Sequence, residues 1–303
     1  VTGRLLIFGF GYTAQAIAAR LPGWRVVGTT RDGREGTLAF DDPAVERELA
    51  TATHVLSSVP PDSEGDPVLA RFGPLLGHPG EGRDPCLSDV PHRPDMDPSL
   101  RWGDGKRLWL GYLSSTGVYG DAGGAWVDET VSIRGRREGR NAADAAWLEL
   151  GARVFRLPGI YGPGRSPLDR AAAGHAHRVD VPGQVFSRVH VDDIASGVIA
   201  GFDAPAGAYN LADDAPCGQN EVAAFAASLL GLEPPPFVPL EILSPIARAF
   251  YAENRRVANG KAKRVLGWSP AYPDYRLGLR ALSAITRPMP VSTAPPIASG
   301  DQR

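Results

Sequence analysis

A strand that breaks into glycines and resumes as a helix limits a chain to few architectures, and this pattern stands near the start of the sequence. Leu5-Leu6-Ile7-Phe8 is an unbroken apolar run, as expected of a strand buried on both faces in a parallel sheet. It gives way to Gly9-Phe10-Gly11-Tyr12-Thr13-Ala14, after which Ala14, Ile17, Ala18 and Leu21 recur at helical spacing. Strand, glycine turn and helix in this order are the context that the dinucleotide fingerprint requires. Gly9 lets the turn close, Gly11 lets the backbone approach a pyrophosphate, and the small Ala14 lets helix and strand pack closely. Free N–H groups at Phe10 to Thr13 would then hold the phosphates. An ordinary glycine turn without a ligand is the alternative reading of the same residues.

The next strand, Trp24–Arg31, is where such a fold selects its cofactor. An acidic residue there would bind the ribose hydroxyls of NAD, but the sequence has Thr29-Thr30-Arg31. Thr30 and Arg31 suit a 2′-phosphate, which a carboxylate would repel. The expected cofactor is therefore NADP(H) in preference to NAD, with Arg31 as a solvated turn charge the competing reading. A strand at Thr53–Val59, closed by Pro60-Pro61, brings Ser57, Val59 and Pro60 toward the same ligand, because ligands lie outside the carboxyl ends of parallel strands. His54, at the other end of that strand, reads as structural.

Further units follow the same alternation: a short strand at Thr37–Phe40, helices at 42–52 and 65–76, a strand at Arg107–Leu113, a helix at 136–150 and a strand at Ala152–Leu157. Ser114, Ser115 and Thr116 stand at the carboxyl end of a central strand, over the place a nicotinamide would occupy. Pro158-Gly159 begins a non-helical loop at the same end of the sheet. The expected fold is a doubly wound α/β Rossmann fold with a parallel sheet and a small interleaved C-terminal substrate lobe. Residues 1–157 would form the dinucleotide-binding core, 158–285 the remaining strands and the lobe, and 286–303 a solvated tail. Segment 77–104 follows no period and reads as a disordered insertion away from the cofactor.

Composition excludes other classes. With 32 basic and 34 acidic residues and a net charge of −2, nothing favours nucleic acid or an anionic membrane as partner. Cys86 and Cys217 form neither a metal spacing nor a disulfide framework, and no apolar run approaches the ~20 residues of a membrane span. A cytoplasmic protein acting on a small molecule, without a metal, is the expectation.

These pieces, in this order, resemble the extended short-chain dehydrogenase/reductase family, also called the NAD-dependent epimerase/dehydratase family, over most of Arg4–Leu282. The markers are Ser114-Ser115-Thr116-Gly117-Val118-Tyr119-Gly120, Gly159-Ile160-Tyr161-Gly162-Pro163-Gly164 and His190-Val191-Asp192-Asp193. Gly9, Gly11 and Ala14, with Leu266-Gly267-Trp268-Ser269-Pro270 and Tyr272-Pro273, look closer to its atypical YeeZ-like subgroup. The resemblance implies a catalytic Tyr with a Lys four residues on, which lowers the Tyr pKa, and a neighbouring Ser or Thr that positions the substrate oxygen. Ser115 matches the last of these. Where the Tyr-x-x-x-Lys helix should fall, the sequence has Arg136 through Asp144, and the only lysines are Lys106, Lys261 and Lys263. Arg140 is the candidate replacement cation, Tyr119 and Tyr161 are candidate acids, and Thr116, Arg188 and His190 are candidate substrate contacts; Asp192 and Asp193 read as helix caps. The family's enzymes are often dimers, so a homodimer is compatible with the resemblance. Two functions follow: an NAD(P)-dependent oxidoreductase or epimerase acting on a small hydroxy, carbonyl or sugar-type substrate, or a dinucleotide-binding sensor or scaffold without efficient catalysis.

Overall fold

The computed structural model describes residues 3–34, 36–77 and 108–286; the expected insertion lies almost entirely, and the tail all but wholly, outside them. The elements run β1 (Arg4–Phe8), α1 (Tyr12–Ala18), β2 (Arg25–Thr30), β3 (Leu38–Ala39), α2 (Ala44–Leu49), β4 (His54–Ser57), α3 (Pro67–Leu76) and β5 (Trp109–Ser115). After a 3₁₀ turn at Thr116–Tyr119 come β6 (Trp126–Val127), α4 (Glu138–Glu149), β7 (Arg153–Leu157), β8 (Gly159–Tyr161), α5 (Pro167–Ala172), β9 (Arg178–Val179), β10 (Arg188–His190) and α6 (Val191–Ala200). The C-terminal part holds β11 (Gly207–Asn210), α7 (Gln219–Leu229), β12 (Phe237–Val238), α8 (Pro245–Tyr251), β13 (Arg256–Val257), α9 (Gly260–Leu266) and α10 (Tyr275–Thr286).

Seven strands form one sheet in the order β11-β7-β5-β4-β1-β2-β3, every neighbouring pair parallel. The direction of winding reverses between β1 and β4, and a doubly wound sheet binds its ligand at that switch point. Alternation along β5 explains the two layers. Trp109 and Leu113 join the core under α1 and α6, whereas Leu110 and Tyr112 join the core under α2, α3 and α4. On the second face Trp147 of α4 stacks on Tyr112, centroids 5.5 Å apart, and its Nε1 donates to Asp66 Oδ2 at 2.8 Å. The other oxygen of Asp66 caps α3 through the amides of Val68 and Leu69. One carboxylate thus joins two helices on that face.

Register then determines the site. β4 ends at Ser57, opposite Tyr112, while β5 continues three residues further, with Ser114 and Ser115 paired to β7 alone. The end of β5 therefore stands free of β4, at the rim beside the switch point. The non-helical loop expected after β7 contains a short strand, since β8 pairs with β10 outside the main sheet. A separate 3₁₀ turn at Leu240–Ile242 precedes α8. Among the described residues, no helix is long and apolar enough to cross a membrane.

His54, at the amino end of β4, sits among Trp24, Trp109 and Phe202, with ring centroids 4.6–5.5 Å away. Burial lowers its pKa from 6.5 to about 4, with Asp203 opposing and Arg153 reinforcing the shift. The folded state thus holds this ring neutral while the unfolded chain protonates it. Its contribution to stability is complete above pH ~6.5 and is lost as pH falls toward 4. His54→Phe should therefore flatten the fall in melting temperature between pH 6.5 and 4; equal slopes in wild type and variant would contradict this assignment.

Candidate functional site

At the switch point the glycine turn is held from both sides. Gly9 has φ +82°, and a Cβ on it would lie 3.0 Å from Val59 Cγ2 and 3.2 Å from the Ser58 carbonyl carbon. It needs to be glycine for the backbone and for the end of β4. Phe10 donates its amide to Thr29 O at 2.7 Å, and its ring fills the space against Gly28. Gly11 differs, because a Cβ there would meet no protein atom within 4 Å. The space over Gly11 is what close approach of a pyrophosphate requires, so the turn fits a dinucleotide. Tyr12 closes the outer side by donating its hydroxyl to Pro163 O at 3.1 Å.

A cleft of about 940 Å³ extends from this turn across the carboxyl ends of β5 and β7. It brings together Tyr12, Thr13, Pro60, Ser114, Ser115, Thr116, Arg140, Pro158, Gly159 and Arg188 of the expected site. The two serines face opposite ways, as neighbours in a strand must. Ser114 Oγ donates to Asp144 Oδ2 of α4 at 2.6 Å, so its proton is committed. Ser115 Oγ instead accepts from the Gly117 amide at 3.1 Å, which leaves its own proton for a ligand.

The expected acids lie elsewhere. Tyr119 is fully buried; its hydroxyl donates to Asn210 Oδ1 at 2.7 Å and accepts from Arg156 Nη1 at 3.1 Å. The 3₁₀ turn after β5 carries it inward under Val118 and Val127 rather than over the cleft. Tyr161 is buried by the β8–β10 pairing, edge-on to His190 and directly against Gly278 of α10. Burial raises both phenols above their ordinary pKa. Neither lines the cleft. His190 does not line it either. Its Nδ1 accepts from the Asp192 amide at 3.2 Å as the cap of α6, which corrects the expectation that the aspartates would do so. Asp192 pairs with Arg20, and Asp193 accepts from the amides of Ala271 and Tyr272.

At the end of β2, Thr30 Oγ1 accepts from the Arg34 amide and shares a hydrogen bond with Thr37 Oγ1, so the hydroxyl shapes the turn. Arg31 is exposed and forms no hydrogen bond or ion pair among the described residues. Ser57 is buried behind the glycine turn and Val59 packs on Gly9, so both support the turn from outside the cleft.

Sequence reasoning missed the charge of the cleft. Seven arginines line it (136, 137, 140, 165, 170, 188 and 255) against one carboxylate, Glu253. Glu253 is itself paired with Arg136 and Arg255 at 2.6 and 2.7 Å, hydrogen bonds that outweigh burial and hold its pKa below the usual range. The Arg136-Arg137 and Arg140 cluster was legible as charge. The contribution of α5, β10 and α8 was not, since Arg170, Arg188 and Tyr251 meet only through the tertiary fold.

Known proteins bear on these features. No family model matches the sequence. The chain is 27% identical over 267 residues to protein YeeZ of Escherichia coli K12, covering 77% of this chain and 86% of YeeZ. Among solved structures, a functionally unknown conserved protein from Silicibacter pomeroyi is 39% identical, with a TM-score of 0.78 over 94% of this chain and 99% of its own. The chain is thus similar to YeeZ, and it shares its fold with a structure described as a putative NAD-dependent epimerase/dehydratase from Methylobacillus flagellatus. A 3-diazoavenalumate denitrifying reductase of Streptomyces sp. is 29% identical over 142 residues, 43% of this chain; the match spans about half the reductase, 47% of its length. The fold is shared at lower identity by MoeE5, solved with UDP-glucose and NAD (18%, TM-score 0.67, covering 94% of this chain and 98% of its own). It is shared too by human epimerase family protein SDR39U1, solved with NADPH (15%, TM-score 0.64, covering 92% and 99%).

Within this fold the two glycines separate experimentally. Gly11→Ala should leave the thermal melt unchanged, because the methyl group meets no protein atom, yet weaken NADPH binding at least tenfold. Gly9→Ala should lower the melting temperature outright. Retention of full affinity by a folded Gly11→Ala would remove the pyrophosphate from this turn.

Proposed function

We propose that the protein is an NAD(P)-dependent oxidoreductase or epimerase-like enzyme acting on a small hydroxy, carbonyl or sugar-type substrate, with NADP(H) the preferred cofactor. The observation that carries this reading is the free end of β5. Its register takes Ser115 past β4 to the rim of the cleft that Tyr12 and Thr13 also line, with its proton unclaimed. Gly11, Tyr12, Thr13 and Pro60 would hold the dinucleotide on one side, and Pro158 and Gly159 on the other. The nicotinamide ring supplies hydride transfer when bound. Ser115 would donate to the substrate oxygen and fix its distance from the ring. Arg140, one helical turn before Asp144, would offer a fixed positive charge to the ribose or to an oxyanion, but a guanidinium cannot move protons at neutral pH. NADP(H) preference rests on Arg31, which faces solvent beyond β2 where the NAD-selecting acid would stand.

A second reading, a dinucleotide-binding protein with weak catalysis, is favoured by one observation: neither Tyr119 nor Tyr161 reaches the cleft, and arginines occupy the segment where Tyr and Lys are expected. The two readings part on titration of the protein with NADPH and NADH, followed by nicotinamide fluorescence, and on turnover. NADPH should bind at least tenfold more tightly than NADH, and Arg31→Ala should erase that ratio. Ser115→Ala should abolish turnover with cofactor affinity unchanged. Binding without turnover across a panel of carbonyl substrates would select the second reading, and binding of neither cofactor by a cooperatively melting protein would refute both.

A further inference from the structure

One arginine of the cleft is buried without a carboxylate hydrogen-bond partner. Arg188 of β10 lines the cleft yet is only 6% exposed. Its Nη1 donates to Phe186 O at 2.9 Å and lies 3.3 and 3.1 Å from O and Sγ of Cys217, while Nη2 donates to Gln219 Oε1 at 2.9 Å. All four acceptors are uncharged. Arg188 forms no ion pair among the described residues, and neither its Nε nor the second Nη2 hydrogen has an acceptor among them. Asp213, 2% exposed, feels the charge of Arg188: burial pushes its carboxyl up to about 7, and Arg188 opposes that rise. A buried guanidinium whose hydrogen-bond acceptors are all uncharged is costly to maintain, and one with two free N–H groups is suited to two-point contact with a carboxylate.

The wall around Arg188 is aromatic. Phe186 meets Tyr251 of α8 edge-to-face at 5.6 Å, and Phe250, 61% exposed, lines the same cleft. α8 is held across the opening by Arg136, which donates to Ala249 O at 2.7 Å and to Glu253 Oε1 at 2.6 Å. Arg170 completes the group and, with Arg188, acts on the Tyr251 phenol. The buried guanidinium of Arg188 beside flat apolar rings offers one desolvated two-point anion site, which suits a carboxylate on a planar body.

We propose that the substrate of this cleft is a planar, aromatic-type carboxylate, whose carboxylate is received by Arg188 and whose ring packs against Phe186 and Tyr251. The proposal rests on the functional reading above, with the dinucleotide filling the glycine side and the substrate the arginine side. Arg188 therefore acts as the specificity-determining residue: it fixes the acid end while the other end of the substrate extends toward Ser115.

Calorimetric titration of the full chain, with and without saturating NADPH, would test this with trans-cinnamate, cinnamamide, inorganic pyrophosphate and UDP as probes. Cinnamate should bind at least tenfold more tightly than the neutral amide and more tightly than pyrophosphate or UDP. Arg188→Gln should weaken cinnamate at least thirtyfold and leave NADPH affinity within threefold. Because Arg188 is buried, Tyr251→Leu on the half-exposed helix provides a second variant, with an expected five- to tenfold loss for cinnamate alone. Equal binding of cinnamate and cinnamamide, no cinnamate binding, or tighter binding of pyrophosphate or UDP would overturn the proposal. The NADPH titration is read separately, so failure of the cofactor reading and failure of the substrate assignment are distinguishable.

Discussion

The floor of the cleft depends on one buried ion pair. Asp144 of α4 is fully inaccessible and Arg156 of β7 is 3% exposed; Arg156 Nη2 donates to Oδ1 at 2.7 Å and Nε to Oδ2 at 3.1 Å. Such a pair is tolerable only when every lone pair and N–H finds a partner. Here Ser114 adds its hydroxyl to Oδ2, and Arg156 Nη1 reaches Tyr119, whose hydroxyl passes to Asn210. The network joins the end of β5, the middle of α4, β7 and β11. It thereby fixes the height of Ser115 and the direction in which Arg140, one turn earlier on α4, meets the cleft. It also holds the Tyr119 hydroxyl between Arg156 and Asn210, outside the cleft lining.

Much of the architecture was legible because it depends on local pattern. The apolar run Leu5–Phe8, its glycines and the helix after it are consecutive, and each obeys a period or a backbone demand that can be read along the chain. The same is true of Ser114 and Ser115, which need only the end of a central strand. Tyr119 and Tyr161 show where such reasoning stops. Both sit in the right segments, but the 3₁₀ turn rotates one inward and the β8–β10 pairing buries the other. Those rotations are set by contacts with residues far along the chain, such as Asn210 and Gly278, and no local period records them. Arg188 was named from its motif, but its uncharged surroundings come from Cys217 and Gln219, about thirty residues on.

Arginines in place of the tyrosine–lysine pair that the resemblance implies change what the cleft can do. A lysine can tune a neighbouring phenol and take part in proton movement; an arginine holds its charge at any physiological pH and offers a planar fork instead. Arginines 136, 137 and 140 thus line the cleft in the segment where the resemblance implies a Tyr–Lys pair. Ser115 keeps its hydroxyl proton free at the rim of the same cleft.

The two amides that Asp193 receives, from Ala271 and Tyr272, fasten the segment before α10 to the start of α6, and Trp268 donates to Asp193 O close by. A ribosome delivers the glycine turn, and then the arginines of α4, α5 and β10, before Tyr251, Val257 and this clasp. The groove is therefore made before the residues that close it. The cleft takes final shape late, when the C-terminal strap arrives to close the lobe against the core.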